Sequence, residues 1–136
     1  MKTFINLPVS DIERSRRFFT ALGFGFEDMF CTDTSLGMKL GDGVMVMMLS
    51  TERFADFIPG RAIADTAKVL EVLTAIECDS REAVDALMDK ALSAGAEVFR
   101  APEEHGFMYG RSFTDPDGHV WEPFWFDASS VPEISE

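Results

Sequence analysis

The segment SDIERSRRFFTALG, residues 10–23, decides the fold, because a later segment repeats its pattern. Ser10 can cap a helix, and Glu13, three residues on, can reach back to it as a capping box. Gly23 is suited to end the helix, since glycine tolerates the left-handed conformation found there. Between these signals, three apolar side chains fall on one helical stripe: Ile12, Phe19 and Leu22.

The second copy is DSREAVDALMDKALSAG, residues 79–95. Asp79 stands 69 residues after Ser10 and Glu82 stands 69 residues after Glu13, so the cap and the box are both repeated. Gly95 ends this helix as Gly23 ends the first. Its apolar side chains also follow helical spacing: Val84, Leu87, Met88, Ala91 and Leu92. The chain therefore contains two related units.

Strand-like runs surround each helix in the same order, so each unit predicts a βαβββ arrangement and the fold class is α+β. In the first unit the predicted strands are residues 3–9, 24–30, 37–40 and 44–49, and in the second 69–78, 97–100, 107–114 and 119–126. The hairpins turn at Gly41-Asp42-Gly43 and at Asp115-Pro116-Asp117-Gly118, both rich in turn-forming residues. Residues 103–106 are expected to form an acidic loop.

These units predict a single domain over residues 1–128. Module one covers about 1–50, a connector about 51–68, and module two about 69–127. The connector is expected to hold a short helix at 51–58, and residues 129–136 are expected to form a loosely ordered tail.

The composition restricts the possible partners. Of the 136 residues 46% are hydrophobic, and the formal net charge is −12. Nucleic acids and anionic membranes attract basic surfaces, so neither is an expected partner. Cys31 and Cys78 lie far apart without metal-ligand spacing, and the N-terminus resembles neither a signal peptide nor a membrane span. A cytoplasmic location is expected.

Three strings carry a family resemblance: LPVSDIERSRRFFTALGF at 7–24, SREAVDALMDKALSAGAEV at 80–98 and DPDGHVWE at 115–122. With the duplicated units, they resemble the vicinal oxygen chelate superfamily, which includes glyoxalase I, bleomycin-resistance proteins and extradiol dioxygenases. The resemblance implies two tandem βαβββ modules forming a curved mixed sheet around a cavity. It also implies a small-molecule ligand and a homodimer.

The resemblance further implies four positions for metal ligands, two in each module. They fall here on Phe4, Met47, Leu73 and Glu122. Only Glu122 can bind a hard or borderline metal, whereas catalytic zinc normally needs three protein ligands. No cofactor is therefore expected, and a divalent metal such as Zn, Ni or Fe is not favoured. A relocated site using His105, Glu122 and a nearby acid is the alternative.

Glu122 lies in an otherwise apolar run, so its carboxylate must be paired, protonated or in contact with water. One interpretation is a salt bridge, for which Arg111 is the suggested partner. The other is a catalytic role as a general base in the cavity. Strand alternation predicts a largely apolar substrate-binding lining that includes Phe4, Asn6, Met45, Met47, Leu73 and Phe124. A Met-rich strand is also typical of an ordinary core.

Tyr109 and Arg111 share a strand face. If that face points inward, they could bind an anionic or carbonyl group of a substrate; if outward, they are dimer or surface residues.

Three functions are consistent with these patterns. The first is a metal-dependent glyoxalase-type lyase or an extradiol dioxygenase. The second is a metal-free binding protein, and the third is a metal-free enzyme that uses Glu122 as a base. The sequence predicts a protein that binds or converts a small organic molecule and leaves its enzymatic status open.

Overall fold

The computed structural model describes residues 1–130, and the last six residues lie outside the described part. The chain divides into two compact units: unit one is Met1–Leu70, and unit two begins at Glu71. Of the predicted tail, residues 129 and 130 belong to a 3-10 turn, Ala128–Ser130, and the remainder lies outside the described residues. No helix within residues 1–130 is long and apolar enough to cross a membrane.

Unit one contains a three-stranded sheet and two helices. Its elements are β1 (Thr3–Val9), α1 (Ile12–Leu22), β2 (Ser35–Gly41), β3 (Val44–Ser50) and α2 (Thr51–Asp56). The strand order is β1-β3-β2, with β1 parallel and β2 antiparallel to β3. One sheet face is buried in a core of aliphatic and aromatic side chains from β1, β3 and α1, among them Leu7, Val9, Phe18, Phe19, Leu22, Val46 and Met48.

Unit two contains a larger sheet and one long helix. Its elements are β4 (Leu73–Glu77), α3 (Arg81–Ser93), β5 (Glu97–Val98), β6 (Glu103–His105), β7 (Met108–Gly110), β8 (Phe113–Thr114) and β9 (Val120–Phe126). Strand β9 is central: β4 lies parallel on one side, and β7 and β8 lie antiparallel on the other. The α+β class predicted from the sequence is confirmed.

Both capping boxes were predicted wrongly by one residue. Asp11, not Ser10, caps α1, and its Oδ1 accepts the backbone N–H of Arg14 at 3.0 Å. Ser80, not Asp79, caps α3 in the same way. The glutamates that follow therefore stand at the second helical position, one residue too early for a capping box. The repeat itself is preserved, because both caps moved by one residue.

Three strand predictions also need correction. Residues 24–30 form an isolated bridge at Phe26 and a 3-10 turn, Asp28–Phe30, instead of a strand. The predicted strand 107–114 is interrupted between Gly110 and Phe113 and forms β7 and β8. The predicted acidic loop at 103–106 is mostly strand β6, because its backbone pairs with β7.

Candidate functional site

The open face of unit one, opposite its buried core, brings together four residues predicted to bind substrate: Phe4, Asn6, Met45 and Met47. Phe4 pairs with Met45 and Asn6 pairs with Met47 across the parallel β1–β3 ladder. Directly paired residues project from the same side of a sheet. Phe4 is 45% exposed, whereas Met48, which projects from the other side of β3, is 1% exposed.

Phe30 covers part of this open face, and the sequence prediction missed it. A Cβ at Gly37 would stand 2.6 Å from the Cβ of Phe30 and 3.5 Å from the Sδ of Met47, so only glycine leaves room there. The Phe30 ring meets the Phe4 ring edge-on at 5.5 Å. The backbone is held by the buried Ser35 hydroxyl, which donates to the Phe30 carbonyl at 2.9 Å. A glycine inside a strand is the sequence signal of such a close approach.

A cavity of about 330 Å³ lies beside this aromatic pair. Its volume is in the range of small-molecule sites. Two predicted residues, Phe4 and Met45, line it. It also contains three charged side chains that the sequence prediction did not include, and the Lys39 ammonium lies 3.6 Å from the Glu27 carboxylate. The complete lining is Lys2, Thr3, Phe4, Glu27, Met29, Phe30, Lys39, Gly41, Gly43, Val44 and Met45.

The open face of unit two has the same layout and different chemistry. Leu73 pairs with Val120 and Ala75 pairs with Glu122, so Leu73, Glu122 and Phe124 share a face. The Phe124 ring stacks on Phe126 at 6.0 Å. The structure therefore brings the remaining predicted residues of β4 and β9 together around the carboxylate.

Glu122 forms an ion pair with Arg100, and the prediction of Arg111 as its partner was wrong. The Glu122 side chain is 15% exposed, and the Arg100 guanidinium donates to its Oε2. A second guanidinium nitrogen of Arg100 lies 3.5 Å from Glu103. The hydrogen bond to Glu122 is the main reason that the pKa of Arg100 is raised. The salt-bridge interpretation of Glu122 is thus confirmed in kind.

Tyr109 and Arg111 lie on the opposite face of the sheet, against α3. The Tyr109 hydroxyl donates to the Asp85 carboxylate at 2.6 Å, and the Arg111 guanidinium donates to the same oxygen at 3.0 Å. The hydrogen bond from Tyr109, followed by that from Arg111, lowers the pKa of Asp85. Arg81 of α3 also stacks over Tyr109 and Trp125. The pair therefore does not share a face with Glu122.

The turn that precedes β9 contains a buried carboxylate with a structural role. Asp115 is 6% exposed and accepts the backbone N–H groups of Asp117 and His119 at 2.9 and 3.0 Å. It also accepts the indole N–H of the fully buried Trp121 at 3.0 Å. Burial is the main reason that the pKa of Asp115 is raised. These bonds fix the turn at the start of the strand that carries Glu122.

The donor set does not fit the metal implied by the resemblance. The four expected positions hold Phe4, Met47, Leu73 and Glu122, and only the last has a ligand atom suited to Zn, Ni or Fe. Glu122 is already paired with Arg100. Within residues 1–130, no three His, Cys, Asp or Glu side chains lie close enough to hold a metal ion. His105, proposed for a relocated site, stacks on Phe107.

Comparison with known proteins agrees with this architecture. The model of the Glyoxalase/Bleomycin resistance protein/Dioxygenase superfamily matches residues 3–122. No curated protein matches the sequence significantly.

Solved structures share the fold. A hypothetical protein from S. aureus is 26% identical, with 92% of this chain and 93% of that chain covered and a TM-score of 0.78. A glyoxalase-related enzyme from Fulvimarina pelagi is 19% identical, with 100% and 99% covered and a TM-score of 0.79. A family enzyme from Burkholderia phytofirmans PsJN is 20% identical, with 91% and 97% covered and a TM-score of 0.75. The chain therefore belongs to the Glyoxalase/Bleomycin resistance protein/Dioxygenase superfamily.

Proposed function

We propose that this protein binds a small organic molecule in the cavity of unit one and does so without a metal. The observation that carries the proposal is the cavity itself, about 330 Å³ beside the exposed Phe4 and next to Met45. Apolar and aromatic walls with a few polar groups are typical of small-molecule sites. Methionine adds adaptability to such a wall, because its side chain is flexible and polarisable.

The absence of family chemistry from Glu122 supports binding over catalysis. A general base must be free to take a proton from the substrate. Glu122 instead accepts from Arg100, and its side chain is 15% exposed. The ion pair favours the charged carboxylate and occupies the lone pairs that a substrate or a metal would use.

The proposal includes a homodimer in the cytoplasm, with no nucleic acid or membrane as partner. Several apolar side chains of unit two are exposed, notably Leu73, Val98 and Phe99 at 51%, 54% and 41%. Such side chains support an association surface. Both cysteines are free thiols, which supports a reducing compartment, and the net charge of −12 disfavours polyanions. Analytical ultracentrifugation is expected to return the mass of a dimer, and a monomer would contradict that part.

The test uses N-phenyl-1-naphthylamine, a neutral apolar dye whose fluorescence rises in apolar sites. We expect saturable binding to the wild type and loss of at least about tenfold in affinity in Met45→Trp, where the larger ring fills the cavity. Phe57→Trp is the matched control, since Phe57 is 65% exposed and does not line the cavity. Non-saturable binding, or equal binding by Met45→Trp, would contradict the proposal.

The metal-free part has its own measurement. Elemental analysis of purified protein, followed by thermal-shift titration with Zn, Ni, Mn and Fe, is expected to show no stoichiometric metal and no stabilisation. A stoichiometric metal that is lost in Glu122→Ala would support the lyase or dioxygenase alternative instead.

A further inference from the structure

The cavity of unit one is locally positive in an acidic chain. Three charged side chains line it: Lys2, Lys39 and Glu27. Together they carry one net positive charge, whereas the whole chain carries −12. Among the described residues, no carboxylate lies within ion-pair distance of Lys2. An electropositive pocket in an acidic surface favours a negatively charged ligand.

The Lys39 ammonium can accept such a ligand without losing its present partner. Its nitrogen lies 3.6 Å from the Glu27 oxygen, which is longer than a charge-assisted hydrogen bond of about 2.7–2.9 Å. An ammonium has three N–H donors, so donors are available for a second acceptor. The Lys39 backbone is fixed, because its N–H donates to the Gly25 carbonyl at 2.9 Å. The position of the side-chain stem at the cavity is thus set by the fold.

An apolar surface stands next to these charges in the same cavity. Phe4 is 45% exposed and Met29 is 76% exposed, although both are large apolar side chains. The Phe30 ring meets Phe4 edge-on and leaves part of it uncovered. A ligand body placed against Phe4 and Met29 would remove this apolar surface from water, which is favourable in proportion to the area buried.

We propose that the cavity binds an amphipathic small molecule with a single negative charge, an aromatic or aliphatic monocarboxylate. The carboxylate would lie at Lys39 and Lys2, and the apolar body against Phe4 and Met29. One net positive charge in the lining matches a monoanion, whereas a dianion would leave a negative charge beside Glu27 without a cation. This inference rests on the proposed function and adds the chemical class of the ligand.

The test compares three naphthalene probes by isothermal titration calorimetry: 2-naphthylacetic acid at neutral pH, its amide and 2-naphthyl phosphate. We expect the carboxylate to bind about threefold to tenfold more tightly than the amide, the range of a partly exposed charge pair. The phosphate is expected to bind more weakly than the carboxylate.

Variants assign this preference to the lysine. Lys39→Met should remove the preference of the acid over the amide, and Lys39→Arg should keep it, because the positive charge remains. Lys68→Met is the matched control: Lys68 is exposed and does not line the cavity.

Two results would overturn the inference and leave the proposed function standing. In both, the neutral dye still binds in a Met45-dependent manner. The first is equal binding of acid and amide; the second is tighter binding of the phosphate. An acid preference that persists in Lys39→Met also overturns it. If the dye and all three probes fail to bind, the proposed function itself is contradicted.

Discussion

The two units present the same strand position with opposite chemistry. Met47 in unit one and Glu122 in unit two stand 75 residues apart in the repeat, on the strands that pair with β1 and β4. After the first helix of each unit, an irregular segment brings a further side chain over this face. In unit one it is Phe30, beside Met47. In unit two it is Arg100, paired with Glu122.

The comparison teaches that the strand framework and the chemistry of the face vary separately. The parallel pairing is the same in both units, since Phe4 opposite Met45 corresponds to Leu73 opposite Val120. What differs is the side chain brought to the face by the segment after the helix. An aromatic ring leaves an apolar cavity, whereas a guanidinium neutralises a carboxylate. Retained architecture therefore does not imply retained chemistry.

The hairpin turns provide the largest expected contrast between the units. Asp115→Ala should lower the free energy of unfolding by about 3 kcal/mol, because the buried Trp121 indole and two backbone N–H groups lose their acceptor. Asp42→Ala, in the exposed turn of unit one, should change it by less than about 0.5 kcal/mol. Urea denaturation measures both values, and equal effects would contradict the structural role of Asp115.

The packing of Phe30 is tested by Gly37→Ala. Its Cβ would stand 2.6 Å from the Cβ of Phe30, an atom too close to the backbone to rotate away. We expect a loss of about 2 kcal/mol in the free energy of unfolding and weaker binding of the neutral dye. Gly25→Ala is the control, since no atom lies within 4 Å of its added Cβ. A stable Gly37→Ala protein would show that Phe30 does not cover the sheet as described.

A double-mutant cycle converts the unit-two face to the pattern of unit one. Arg100→Met alone should cost about 1–2 kcal/mol, because it leaves the partly buried Glu122 without its cation. Arg100→Met with Glu122→Met should return to within about 0.5 kcal/mol of the wild type, since no unpaired charge remains. Additive losses in the cycle, measured by chemical denaturation, would mean that the two side chains do not interact.

The smallest expected effect concerns the other face of unit two. The pKa of Asp85 is lowered from 3.8 by Tyr109 and Arg111. The resulting stabilisation is therefore present above about pH 3.8 and is lost as the pH falls through the lower folded value. Its magnitude should stay below about 1 kcal/mol, because the carboxylate is half exposed and screened by water. Asp85→Asn should lack this acid-side loss in denaturation curves recorded between about pH 2 and 7, whereas parallel curves would contradict the assignment.

Much of the fold could be predicted because the signals are local. Helix caps, apolar spacing and turn glycines act over a few residues, and their repetition identified two units. The errors lie where tertiary contacts compete with local preference. Residues 24–30 have strand-like composition, yet the backbone leaves the edge of β2 so that Phe30 can pack on Gly37. The predicted strand at 107–114 is likewise interrupted, between β7 and β8.

The candidate site divides along the same boundary. By itself, the sequence determined the duplication, the strand face shared by Phe4 and Met45, and the scarcity of metal ligands, because side-chain alternation and residue type are local properties. Only the tertiary structure decided that Arg100 pairs with Glu122, that Arg111 turns to Asp85, and that Phe30 and Lys39 border a cavity. Those contacts join residues 7 to 26 positions apart through loops, and no local periodicity specifies where a loop places its side chains.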